Sequence, residues 1–151
     1  MAKLGYTTEY KIETSARAYG RDLPVAWKKS VELARQLRGR TVEKAREYLE
    51  NVIALKQAVP MRTYNFYVAH KSGLGPARYP VKAAKAFLKI LESAVANAEF
   101  TGKEDPDTMI IRTVNAHKGA INKAFRPRAY GRSGPWNQDT VNLEIVIEEV
   151  A

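Results

Sequence analysis

Val141-Asn142-Leu143-Glu144-Ile145-Val146-Ile147-Glu148 alternates apolar and polar residues at almost every step. Successive side chains of a β-strand point to opposite faces. The spacing therefore predicts a half-buried strand whose apolar face is Val141, Leu143, Ile145 and Ile147. A second stretch, 108–116, is rich in Ile, Thr and Val and reads as another strand. Two strands with a long segment between them predict an antiparallel hairpin whose connecting end projects well beyond the core.

Upstream the period changes from two to that of a helix. Val81, Ala84, Leu88, Leu91, Val95 and Ala98 form an apolar stripe on a long helix opened by Pro80 and ended by Gly102. Lys103 to Asp107 reads as a turn. A helix opened by Asp22-Leu23-Pro24 places Trp27, Val31, Ala34 and Leu37 on one face, and Gly39 closes it as a left-handed cap. Trp27 reads as core. Thr41 is placed to cap a further helix, with Val42, Ala45, Leu49, Val52 and Ile53 on its apolar side. Residues 7–19 read as extended chain or a short edge strand, and 60–79 as a long loop. The expected architecture is α+β: three helices packed on a small antiparallel sheet, with a long protruding β-hairpin arm. Residues 1–151 read as a single domain, of which about 116–137 is the arm tip.

Charge is segregated along this pattern. The chain of 151 residues carries 25 Lys+Arg against 16 Asp+Glu, a formal net charge of +9. Net charge speaks to solubility and partners, not to fold, and the natural partner of such an excess is a polyanion. Between Asn51 and Leu91 there is no Asp or Glu, while Arg62, His70, Lys71, Arg78, Lys82 and Lys85 are present. From Thr108 to Gln138 there is again no acid, among Arg112, His117, Lys118, Lys123, Arg126, Arg128 and Arg132. One-signed clusters of this kind are a footprint for phosphate. In the densest part, Phe125, Tyr130 and Trp136 interleave with the arginines. Arginine forks suit phosphate oxygens, and aromatic faces stack on unpaired bases. The glycines and prolines there are expected to keep the segment irregular, ordering only against a partner. The competing reading is a merely solvated basic loop.

Other classes of function find little support. With no cysteine in the chain, a disulfide framework, cysteine-ligated zinc and a thiol nucleophile are excluded. The N-terminal Met1-Ala2-Lys3-Leu4-Gly5 has no apolar signal core, and no window approaches the ~18 apolar residues of a membrane span. The two histidines, His70 and His117, have no second ligand at metal-binding spacing. Gly73-Leu74-Gly75-Pro76 lacks both the dinucleotide and the Walker spacing. No enzyme, cofactor or metal site is expected.

Four stretches together resemble a known family. They are Ala16-Arg17-Ala18 followed by a helix bearing Lys28 and Lys29; the loop from Ala69-His70-Lys71-Ser72 to Ala77-Arg78-Tyr79-Pro80; Ser93 to Glu99; and Arg126-Pro127-Arg128-Ala129-Tyr130-Gly131-Arg132, the most specific. With the matching element order, the chain resembles ribosomal protein twenty-two of the large subunit, in its archaeal-type form. The bacterial form continues the arginine motif with basic residues, where this chain has Gly134-Pro135-Trp136-Asn137-Gln138, and it lacks a comparable 60–79 loop. No antibiotic-contact residue is carried over.

The resemblance implies a structural, non-enzymatic constituent of the large subunit, in the cytoplasm and as a single copy within the ribosome. Its partners would be large-subunit rRNA, neighbouring ribosomal proteins and the nascent peptide, the arm tip forming part of the exit-tunnel wall. No membrane is involved. Arg126, Arg128 and Arg132 are expected to bridge phosphates, Lys118 and Lys123 to extend that track, and His117, Tyr130 and Trp136 to complete the tip. Arg17, Lys28, Lys29, His70, Lys71, Arg78, Lys82 and Lys85 are expected to anchor the body, and Arg62 and Arg112 are further expected RNA contacts. An architectural DNA-binding protein with a basic arm is the alternative.

Overall fold

A computed structural model of the chain describes residues 5–11, 13–103 and 105–149. The elements run β1 (Ser15–Leu23), α1 (Trp27–Leu37), α2 (Val42–Ile53), β2 (Val59–Pro60), β3 (His70–Lys71), β4 (Gly75–Arg78), α3 (Val81–Phe100), β5 (Ile110–Asn122), β6 (Phe125–Pro127), β7 (Ser133–Pro135) and β8 (Gln138–Glu148). The alternating strand, β8, is the centre of an antiparallel sheet of order β1-β8-β5. α3 crosses β1 and β8, α1 lies against β5, and α2 packs on α3. The α+β class expected from the two periodicities holds. The core lies between helices and sheet, where Val141, Leu143, Ile145 and Ile147 are each 0% exposed. Each such side chain contributes roughly 1.5–3 kcal/mol through burial.

The second face of β8 departs from expectation. Val146 and Glu144 are buried as well. Residues 6–8 lie across that face: the Thr7 hydroxyl donates to Glu144 Oε2 at 2.8 Å, and the Thr8 and Thr113 hydroxyls are 3.2 Å apart. The extended chain expected over 7–19 thus divides in two. The ladder begins only at Ser15, as the edge strand β1, while residues 6–8 strap the sheet from outside. Ile12, Glu104 and residues 1–4, on which some expectations fell, lie outside the described residues.

Asp22-Leu23-Pro24 does not open α1. Asp22 and Leu23 finish β1 across an irregularity in its pairing with β8, Asp22 at φ 49°, and the helix begins at Trp27 after an extended Ala26. The β1 hydrogen bonds reward extension through Leu23, which outweighs the local preference for a proline-led helix start. The buried face of α1 is also rotated, centring on Ser30, Leu33, Ala34 and Leu37, with Val31 and Trp27 half-buried. Trp27 nonetheless packs against the core. Gly39, at φ 80°, follows the helix end as expected, and the Thr41 side chain accepts from the Lys44 amide.

Pro80 caps α3 from just outside it. The buried stripe of that helix includes Ala84, Leu91, Val95 and Ala98 and extends to Phe87, Ile90 and Ala94, while Val81 and Leu88 are half-buried. A turn follows as expected, the Thr108 amide donating to Asp105 O at 3.2 Å. The 60–79 segment is more ordered than a plain loop, since β2, β4 and β3 pair in that order.

Candidate nucleic-acid interface

β5 and β8 stay paired from Ile110↔Glu148 out to Asn122↔Gln138, and β6 pairs with β7 beyond them. The segment expected to be irregular is therefore a ladder for much of its length. The reason is local. Tyr130 and Gly131, at φ 58° and 61°, form a two-residue turn, with the Arg132 amide donating to Ala129 O and the Arg128 amide to Arg132 O at 2.7 Å. Consecutive left-handed residues match the twist of a hairpin, and glycine takes the second of these positions without strain.

The expected tip residues are brought together here. Every residue of 120–138 is exposed except Gly134, which is half-buried. Arg128 and Arg132 flank the turn, Lys123 lies between β5 and β6, and Tyr130 is 97% exposed. The Arg126 guanidinium lies 5.0 Å from the Trp136 ring centre, holding a cation and an aromatic face side by side.

The arm base is fastened by residues to which the sequence pattern assigned no such role. The Thr140 hydroxyl donates to Ala120 O at 2.7 Å, the Ala120 amide to Asp22 Oδ1 at 3.4 Å, and the Asp22 amide to Asn142 Oδ1 at 2.8 Å. Gly119 leaves the room for this clasp, because a Cβ there would meet Thr140 Oγ1 at 2.5 Å and Asp22 Oδ1 at 3.0 Å. His117 lies 3.1 Å from Thr7 Oγ1 and 3.4 Å from Glu144 Oε2, so it ties the strap to the sheet as well as belonging to the arm. Arg112, at the far end of β5 from the tip, pairs with Glu148 at 3.7 Å.

On the body, Lys28, Lys29, Arg78 and Lys118 meet around one cavity of about 410 Å³. Arg78 also donates to Tyr67 O at 3.3 Å. Lys71 lies 5.6 Å from the Tyr79 ring centre. His70, Arg62, Lys82 and Lys85 are exposed and do not line that cavity. Arg17 is on the outer face of the sheet, its guanidinium 4.4 Å from the Tyr6 ring centre and 4.3 Å from that of Tyr10.

Glu32, also unforeseen, fixes the segment that walls the cavity. Its carboxylate accepts the Thr63 and Tyr64 amides at 2.6 and 3.0 Å, and Arg35 lies 3.4 Å away. Burial disfavours the charged form, but these amides, with that of Arg62 and the nearby Arg35, outweigh it and hold the carboxyl below its ordinary pKa. An acid beside the apolar stripe of α1 was the only signal for it in the sequence.

Among the described residues no three His, Asp or Glu gather to hold a metal ion, and no helix is long and apolar enough to cross a membrane. The sequence model of the family described as Ribosomal protein L22p/L17e matches residues 18–148. The chain belongs to this family. Individual relatives agree over nearly their full length. "Large ribosomal subunit protein uL22" of Methanococcoides burtonii is 45% identical, with 99% of each chain covered. Its namesake in Methanoculleus marisnigri is 46% identical over the whole of both chains. That of Methanocaldococcus jannaschii is 41% identical, covering 99% of this chain and 97% of its own. These relatives are archaeal, in keeping with the archaeal-type motifs. As a member of the L22p/L17e family, the chain is a structural protein and not an enzyme. The L22p/L17e match takes in the whole arm and stops one residue short of Arg17.

Proposed function

We propose that this chain is a structural constituent of the large ribosomal subunit in the cytoplasm, where it binds and bridges large-subunit rRNA beside neighbouring ribosomal proteins. The observation that carries the reading is the paired, exposed hairpin, acid-free through Gln138, with Arg126, Arg128 and Arg132 around its turn. The mechanism is positional. Phosphate contacts fix the register of a protein on RNA. A clasped arm carries those contacts to RNA segments that the body does not reach. Residues 116–137 act as the tip of a single-domain protein, present in one copy, and the surface around Tyr130 lines the nascent-peptide tunnel. Lys118 and Lys123 extend the phosphate track, His117, Tyr130 and Trp136 complete the tip, and the basic residues of the body anchor its mount.

Sedimentation of a cell lysate on a sucrose gradient tests the assignment, and the chain is expected to travel with the large subunit. The isolated protein should be monomeric and should prefer structured rRNA to duplex DNA. A dimer that prefers duplex DNA would favour an architectural DNA-binding role instead.

A further inference from the structure

The cavity on the body has a composition that phosphate anchoring alone does not require. Its walls carry three aromatic residues, Trp27, Tyr64 and Phe66. Trp27 is fixed, its indole N–H donating to Ala116 O at 3.2 Å, and its ring centre lies 5.6 Å from that of Tyr64. Tyr64 is fixed in turn through its amide on Glu32. Phe66 is 83% exposed at the mouth. Lys28 Nζ stands 5.7 Å from the Tyr64 ring centre, and Lys29, Arg78 and Lys118 share the lining with a single acid, Asp139.

We propose that this cavity seats one unpaired base of the bound RNA, stacked on Phe66 and Tyr64, with its flanking phosphates on Lys28 and Lys29. The inference rests on the rRNA-binding reading and adds a specific subsite to it. Single-stranded RNA is recognised by stacking splayed bases on aromatic side chains while cations hold the backbone. A volume of about 410 Å³ falls within the range of ligand pockets. Asp139 accepts hydrogen bonds only, which favours a base edge presenting an N–H. An apolar peptide segment fits poorly, because it would desolvate four cations and offer them no anions.

The test uses the full chain and a transcript of large-subunit rRNA from the same organism. Ultraviolet cross-linking and peptide mass spectrometry should find a nucleotide attached within residues 61–68. Phe66→Ala should lose that cross-link and weaken binding about tenfold. Phe100→Ala, which removes an aromatic 93% exposed outside the cavity, should bind within about twofold of the parent. Arg126→Ala with Arg128→Ala should weaken binding yet keep the cross-link at saturating RNA. If Phe66→Ala binds like the parent and cross-links fall only elsewhere, while the arm variant still weakens binding, the base subsite is overturned and rRNA binding stands. A cross-link from 61–68 to a protein in intact large subunits would give the cavity to a protein neighbour and overturn it too. If the parent chain does not bind the transcript, both readings fall.

Discussion

Glu32 has a fully buried side chain with a depressed pKa, and its charge is what pins residues 63 and 64 to α1. A carboxyl whose folded pKa lies below its unfolded value adds stability that is complete above the unfolded value, about 4.3 for Glu. That stability is lost as the pH falls through the folded value. Glu32→Gln is expected to cost about 1–3 kcal/mol at neutral pH, by replacing charge-assisted hydrogen bonds with neutral ones. The difference between parent and variant should shrink as the pH drops below about 4.3, which urea unfolding at a series of pH values checks. Gly131 is the other residue whose chemistry is fixed by its place, at φ 61°. Gly131→Val should strain the turn by about 1–2 kcal/mol. The loss should appear as faster amide exchange at Arg128 and Arg132, with the thermal midpoint of the core unchanged.

The arm is an element whose direction depends on its base. Asp22 joins β1 to both arm strands through Ala120, Thr140 and Asn142. Asp22→Ala removes the acceptor and places an ordinary side chain at φ 49°, so a loss of about 1–2 kcal/mol is expected. The Ala120 amide should lose hydrogen-exchange protection while the Leu143 amide, in the middle of β8, keeps it. Asp22→Asn retains an acceptor and tolerates the left-handed backbone, so it should behave much like the parent. The same element shows where pattern reading stopped. A pattern of apolar and polar residues carries the two long strands, but the turn signal Tyr130-Gly131 lies inside a run of arginine, glycine and proline that reads as irregular. Only the pairing Phe125↔Pro135 to Pro127↔Ser133 reveals a ladder there.

At the scale of the whole molecule, the two acid-free stretches are separated in sequence by the C-terminal half of α3 and its turn, yet they meet in space. Arg78 from the first and Lys118 from the second line one cavity with Lys28 and Lys29 of α1. Binding by such a surface is expected to weaken with salt, with a slope of about 0.7–0.9 per phosphate neutralised. Arg126→Ala with Arg128→Ala should reduce both the affinity for rRNA and that slope, by roughly one to two ion equivalents in a filter-binding titration. Unchanged affinity and slope would contradict the role given to the arm.

The α+β class, the strand at Val141 to Glu148, the caps at Gly39 and Thr41 and the basic character of the arm were all legible in the sequence, whereas the central place of that strand was not. Each rests on periodicity, backbone preference or charge, properties that act within a few residues. The strap over β8, the start of α1, the Asp22 clasp, the Glu32 pin and the aromatic cavity were decided by tertiary structure. Each joins groups distant in the chain: Thr7 to Glu144, Asp22 to Asn142, Glu32 to Tyr64, Trp27 to Ala116. Local pattern cannot encode such contacts, because burial and hydrogen-bond partners are assigned only when the sheet closes. For β8 itself, Val141 to Glu148 determined that a strand forms and which face is apolar. The fold alone determined that its other face would also be covered, with a carboxylate held there by hydrogen bonds from the strap.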